Sequence, residues 1–214
     1  MKNRIAFIGS GDMAFNIKNY IDTSTESVSV GIYDDFKTKG EVLNKLPILG
    51  STDDVLNDYN NGNFDFLIIS IGYTKMEVRQ MYFEKFFGIV PLHTFIHDSC
   101  FVHPSAKIGE GAVLFPGCIV DQNVMIYENV FVHLGCTISH DSIVKKHCYL
   151  SPSVTLAGFV EIGEKCNIGV GTVISDNVSI GDSIRTGAGT IVVKNLNESG
   201  TYVGVPAYKI KDKK

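Results

Sequence analysis

The chain has 214 residues, 44% of them hydrophobic and 20% charged, with five cysteines and a formal net charge of −4. That length carries one large domain or two small ones with a real core, and the acidic balance argues against a nucleic-acid or anionic-membrane partner, either of which favours a basic face. No apolar run approaches the roughly 18 residues of a membrane span, and the start of the chain turns into a strand and glycine loop instead of a signal peptide, so a soluble, cytoplasmic protein is expected.

Arg4 to Ile8 reads as a short apolar strand, followed by Gly9-Ser10-Gly11-Asp12-Met13-Ala14 and a helix to about Ile21. A second strand, Val28 to Tyr33, ends at Asp34-Asp35; Pro47-Ile48-Leu49-Gly50 reads as a turn, and Ser51-Thr52-Asp53-Asp54 as the cap of a short helix. A third strand, Phe66 to Ile71, ends at Gly72 and feeds a helix from about Thr74 to Phe87. Strands alternating with helices predict a Rossmann-like βαβ half-domain over residues 1–94, with a small parallel sheet. Ligands of such sheets bind beyond the carboxyl ends of the strands, where Gly9 to Met13, Asp34-Asp35 and Gly72-Tyr73 meet. The first loop is a partial dinucleotide fingerprint, with Ala14 in place of its last glycine, and Asp34-Asp35 stands at the spacing of an acid on a ribose hydroxyl. Two readings stay open: a nucleotide-bearing ligand, mononucleotide before dinucleotide in so small a domain, or glycines that only turn the chain beside a solvated strand end.

Residues 95–214 follow another rule. Every sixth residue from Ile96 to Val192 is Ile, Leu or Val, with Thr186 the one exception, and no insertion breaks the register. Four residues after each, a second column holds small or β-branched residues, among them Ala112, Val130 and Ser142. A period of six fits neither a helix nor a plain strand; it is the hexapeptide repeat of a parallel β-helix. All five cysteines (Cys100, Cys118, Cys136, Cys148 and Cys166) fall in the second column. They are expected to fill the interior as small hydrophobes, with no disulfide or C-x-x-C pair. After Val192 come a polar turn, the segment Thr201 to Ala207 and a basic tail, residues 209–214.

His133, His140 and His147 are spaced by seven, which moves each to the next face of an eighteen-residue coil, so they cannot converge on a metal within one chain and none is expected. His140 precedes Asp141. A carboxylate can hold an imidazole in one tautomer and support it as it takes a proton, which makes a general base. A solvated turn histidine beside an acid is the equally simple alternative.

The order of α/β half-domain, Ile96-His97-Asp98-Ser99, hexapeptide repeat, His140-Asp141, Leu156-Ala157-Gly158 and Gly204-Val205-Pro206-Ala207 resembles bacterial sugar acetyltransferases of the sialic acid O-acetyltransferase family. It is most similar to the nucleotide-linked 4-amino-sugar N-acetyltransferases of the bacillosamine and perosamine type. The resemblance implies a left-handed β-helix and a homotrimer, with acetyl-CoA as co-substrate in the groove between subunits and a nucleotide-linked amino sugar as acceptor. On the matching positions it implies His140 as base and Asp141 as its orienting partner. Tyr149 (where members often carry histidine), Val170 and Ala188 would line the coenzyme, and the Gly158 N–H would face the thioester oxygen. Gly11, Asp12 and Met13, which stand where the family shows Ser-Gly-His, would contact the nucleotide sugar together with Asp34, Asp35 and Gly72. Other readings are O-acetylation of a sugar hydroxyl, a metal-dependent β-helix enzyme of the carbonic anhydrase type, and a non-catalytic sugar-binding β-helix protein.

Overall fold

In a computed structural model of the chain, residues 2–23 and 26–211 are described, and the chain divides into two units at His93 and Thr94. Residues 212–214 of the basic tail lie outside the described residues.

The first unit holds β1 (Asn3–Ile8), α1 (Asp12–Ile21), β2 (Ser27–Tyr33), β3 (Val42–Leu43), β4 (Leu46–Gly50), α2 (Val55–Asn60), β5 (Phe66–Ile69) and α3 (Met76–Phe86). They form a sheet of order β3-β4-β2-β1-β5, in which β1 pairs in parallel with both β2 and β5. Ile5, Ala6, Phe7 and Ile8 are all buried, because a strand covered on both faces must be apolar at successive positions. One face packs Ala6, Ile8, Leu67 and Ile69 against Phe83 and Phe86. The strand order reverses beside β1, so the loops after β1, β2 and β5 open at the switch point of the sheet.

Three boundaries differ from the sequence reading. Pro47 to Gly50 is not a turn but most of β4, which runs antiparallel to β3 and parallel to β2. The turn lies earlier, at Asn44 (φ 46°) and Lys45 (φ 67°), whose paired left-handed conformations make a tight two-residue hairpin. Asp54 precedes α2 without capping it by a side-chain hydrogen bond; its Oδ2 accepts the Ser51 N–H instead, at 2.9 Å. The third strand stops at Ile69, because the Ser70 hydroxyl turns back to donate to the Ile8 carbonyl at 2.7 Å.

The second unit is a left-handed parallel β-helix. Each coil gives one short strand to each of three sheets, and neighbours in a sheet lie eighteen residues apart, as in Ile119↔Phe101 and Ile119↔Thr137. Between strands the chain turns at a residue with left-handed backbone, repeated every six positions from Gly111 to Gly189. Most of these are Gly, Asn, Asp or Ser, the types that tolerate that conformation. The interior is a column of fully buried Ile, Leu and Val with Cys118, Cys136, Cys148 and Cys166. Cys100, in the first coil, is half-buried. Cys118, Cys136, Cys148 and Cys166 each donate from Sγ to the carbonyl of the residue fifteen positions on, and Ser142 does the same at 3.1 Å to Ala157. The second column therefore also satisfies carbonyls left over at the corners. Among the described residues no helix is long and apolar enough to cross a membrane.

Candidate active site

Two places gather chemistry-bearing side chains, one in each unit. In the first unit, Gly9 has φ 92°, which lets the chain leave β1 sharply toward α1. The Asp34 carboxylate reaches across from the end of β2: Oδ2 accepts the Ser10 N–H at 2.9 Å and the Ser10 hydroxyl at 2.7 Å, and Oδ1 accepts the Phe36 N–H at 2.9 Å. Asp35 accepts the Thr52 N–H at 2.7 Å on Oδ1, and on Oδ2 the Thr52 hydroxyl at 3.1 Å and the Tyr82 hydroxyl at 2.6 Å. The two acids are therefore not idle, although Asp34 is only partly buried and Asp35 is exposed; they tie four loop and helix segments together. Oδ1 of each takes one donor, which leaves a lone pair for a ligand hydroxyl. Met13 and Gly72 face each other, for a methyl group added at Gly72 would lie 3.8 Å from Met13 Cε. Gly11 and Asp12 are exposed at the start of α1.

Burial works to raise both carboxyls, but the hydrogen bonds from Ser10 and the Phe36 amide to Asp34, and from Tyr82 and Thr52 to Asp35, outweigh it and hold both below the usual carboxylate range. A lowered folded-state pKa stabilises the fold above the unfolded value, near pH 4, and that stabilisation is lost as the pH falls through the lowered value. Thermal melts from pH 7 downward should therefore stay level until about pH 4 and then decline. The decline should be shallower in Asp35→Asn; equal slopes in the two proteins would remove Asp35 from this role.

In the second unit, the corner after Ser139 carries His140 and Asp141. Asp141 sits in the left-handed region, φ 58°, which folds its carboxylate back beside the imidazole: Nδ1 of His140 lies 2.9 Å from Oδ2. Oδ1 accepts the Asn123 amide at 3.0 Å. The hydrogen bond with His140, then that from Asn123, keep the Asp141 carboxyl well below its ordinary value, so it is ionised at neutral pH and takes Nδ1–H as its donor. That assignment leaves Nε2 as the imidazole's acceptor, and it has no hydrogen-bond partner among the described residues. The His140 side chain is 42% exposed.

Gly158, one coil on, is buried beneath the ring. A methyl group there would stand 2.7 Å from His140 Cε1 and 2.8 Å from Nε2, so the glycine is required by space and not by backbone conformation. Beside it, Phe159 lies perpendicular to the imidazole, with centroids 5.2 Å apart. Val170 and Ala188 are both exposed and share another corner, joined by the Gly189 N–H to Val170 carbonyl bond at 2.8 Å. Tyr149 is not at either place: it pairs with Phe131 and Asn167 on a different sheet face and is 4% exposed, so its phenol is not presented at the surface of this chain.

The three evenly spaced histidines go separate ways. His133 stacks on Phe115 with centroids 4.2 Å apart, and burial lowers its pKa, while His147 bonds Asn129 at 2.8 Å. Among the described residues no group of three His, Cys, Asp or Glu could hold a metal ion.

Comparison with known proteins adds to this geometry. The family model of the PglD N-terminal domain matches residues 4–86, and that of the GMPPB C-terminal domain matches residues 96–202, half of the chain. The chain belongs to the hexapeptide-repeat sugar acetyltransferases. Its second unit is a member of the GMPPB C-terminal domain family. Among solved structures it is similar to a His-to-Asn mutant of perosamine N-acetyltransferase from Caulobacter crescentus, in complex with CoA and GDP-perosamine. The identity is 27% and the TM-score 0.90, with 98% of each chain covered. It is also similar to the acetyltransferase domain of PglB from Neisseria gonorrhoeae in complex with acetyl coenzyme A, at 26% identity and TM-score 0.87, over 98% of this chain and 100% of that one. WeeI from Acinetobacter baumannii, 21% identical with a TM-score of 0.81, shares the fold. No curated protein matches the sequence.

In the acetyltransferase, sequence reasoning missed Asn123 and Phe159, which contact the His140–Asp141 pair from the coils before and after it. A spacing of eighteen on either side of Asp141 was the available signal. It also missed Ser10, Thr52 and Tyr82, partners of Asp34 and Asp35, for which no local pattern exists.

Proposed function

We propose that the protein transfers the acetyl group of acetyl-CoA to the amino group of a nucleotide-linked amino sugar, with His140 as general base. The observation that carries this reading is an exposed imidazole whose Nδ1 is held by an ionised Asp141 and whose Nε2 is free. An alkyl ammonium is not a nucleophile until it loses a proton. The ammonium releases its first proton to solvent, the resulting amine attacks the thioester carbonyl, and Nε2 accepts the second proton from that nitrogen as the C–N bond forms; general-base help of this kind is worth about 10²–10⁴ in rate. Asp141 then supports the imidazolium, and its second oxygen, fixed by Asn123, keeps the carboxylate from rotating away. The tetrahedral intermediate collapses with departure of the CoA thiolate, leaving an amide. We assign the Gly158 N–H, which has no partner among the described residues, to the oxyanion; one such donor contributes roughly 3 kcal/mol.

No covalent enzyme intermediate is needed, and Cys118, Cys136, Cys148 and Cys166 are buried. The exposed Val170 and Ala188 suit the apolar part of the coenzyme arm. In the first unit, Asp34 and Asp35 with Gly11, Asp12, Met13 and Gly72 are the proposed nucleotide-sugar contacts. They lower the entropic part of the barrier by holding the acceptor.

The assembly we propose is a homotrimer. One sheet of the β-helix carries Phe101, Ile119 and Val173 outward, 57%, 47% and 40% exposed, with Thr137 and Thr155 on the rungs between Ile119 and Val173, exposed apolar side chains of the kind that contact with further copies covers. Use of acetyl-CoA and the free thiols fit a cytoplasmic setting. The test is CoA release from acetyl-CoA in the presence of UDP-, dTDP- and GDP-linked amino sugars. Turnover with one of them supports the reading; a folded trimer that releases CoA only with sugar hydroxyl acceptors replaces it with O-acetylation.

A further inference from the structure

Phe159 is the one aromatic carbocycle among the positive-φ residues of the described chain, with φ 59°. A bulky side chain is disfavoured in that conformation, and the equivalent positions one coil before and after carry Asp141 and Asn177, types that tolerate it. The residue is also 55% exposed, so burial in this chain does not offset the strain. Strain that folding does not explain tends to persist where function requires the side chain.

The location narrows that function. The ring stands perpendicular to His140, 5.2 Å from it, directly after the glycine on which the imidazole rests. In a perpendicular pair at least one face of the phenyl ring is left uncovered by the imidazole, and with the residue 55% exposed that ring is open to a ligand beside His140. An aromatic face offers dispersion contact over a broad area but no hydrogen bond. The fitting occupant is the C–H-bearing face of a sugar ring, or a deoxy carbon on it, and not the hydroxyl-rich edge or the charged parts of acetyl-CoA.

We infer that Phe159 is a specificity-determining residue, its ring receiving the apolar face of the acceptor sugar and setting the distance of the amine from His140. This rests on the acetyltransferase reading given above. It also explains why a strained, exposed phenylalanine follows Gly158 where asparagine would fold more easily.

The experiment is Phe159→Asn, with Phe159→Tyr as the variant that keeps the ring. Wild-type turnover is established first on an amino-sugar acceptor; absence of that turnover overturns the functional reading and leaves the role of Phe159 without a substrate. Given turnover, Phe159→Asn should melt no lower than wild type and keep the same oligomeric mass. Its KM for the amino sugar should rise about tenfold or more, the size of discrimination an apolar contact supplies, with the KM for acetyl-CoA unchanged and Phe159→Tyr close to wild type. A loss of oligomeric mass would show that the ring packs against another subunit and overturn the inference. So would a rise in the acetyl-CoA KM in place of the sugar KM, a lower Tm, or unchanged kinetics.

Discussion

Replacing His140 with alanine should lower kcat by two orders of magnitude or more while the fold and oligomeric mass stay unchanged. The ring is 42% exposed on its side chain, so its removal opens no interior cavity and the β-helix core is untouched. What disappears is the base that Asp141 orients, and the loss should match the 10²–10⁴ that a positioned base contributes. Asp141→Asn should be nearly as harmful. With Asn123 donating to one oxygen, the new amide would turn its NH₂ toward His140 Nδ1, forcing the proton onto Nε2 and leaving the wrong tautomer for a base, an effect known to be large in other histidine–carboxylate pairs. Circular dichroism and light scattering report the fold and mass; near-normal turnover in His140→Ala would remove the histidine from this role.

The second large effect is expected from the smallest change. Gly158→Ala puts a methyl group within 2.7–2.8 Å of two imidazole atoms, closer than non-bonded carbon allows. The glycine backbone is not in the left-handed region, so alanine meets no conformational penalty and the clash is resolved by the partner that can move. His140 swings outward, its bond to Asp141 lengthens, and the Gly158 N–H is partly covered. Misplacement of a reacting group by about 1 Å costs roughly 10²-fold, so kcat should fall about that far with Tm nearly unchanged. If His140 instead has room to adjust without leaving Asp141, Gly158→Ala will retain most of its activity, and the tight packing seen here is not what positions the base.

These two residues show what the sequence could and could not convey. The β-helix was legible because a six-residue period continued without a gap through seventeen positions from Ile96 to Val192, and each position has to face inward for the coils to stack. His140-Asp141 was legible as a pair because its members are adjacent. Its supports were not: Asn123 and Phe159 arrive from neighbouring coils, and the need for glycine at position 158 is visible only as a distance to the ring. In the first unit the alternation of strand and helix carried through, but β4 was read as a turn because Pro47 and Gly50 are turn-forming types, whereas the turn itself used Asn44-Lys45. Asp34 and Asp35 were found by position at a strand end, yet their partners Ser10, Thr52 and Tyr82 lie 24, 17 and 47 residues away, beyond any local pattern.

The proposed chemistry requires the acceptor to be an amine. The direct measurement is to take the product formed from acetyl-CoA and a nucleotide-linked amino sugar, confirm by mass that one acetyl group has been added, and treat it with neutral hydroxylamine. An amide resists, so the acetyl group should remain on the sugar. Release of the acetyl group as a hydroxamate would show an ester, and the protein would then be a hydroxyl acetyltransferase using the same histidine.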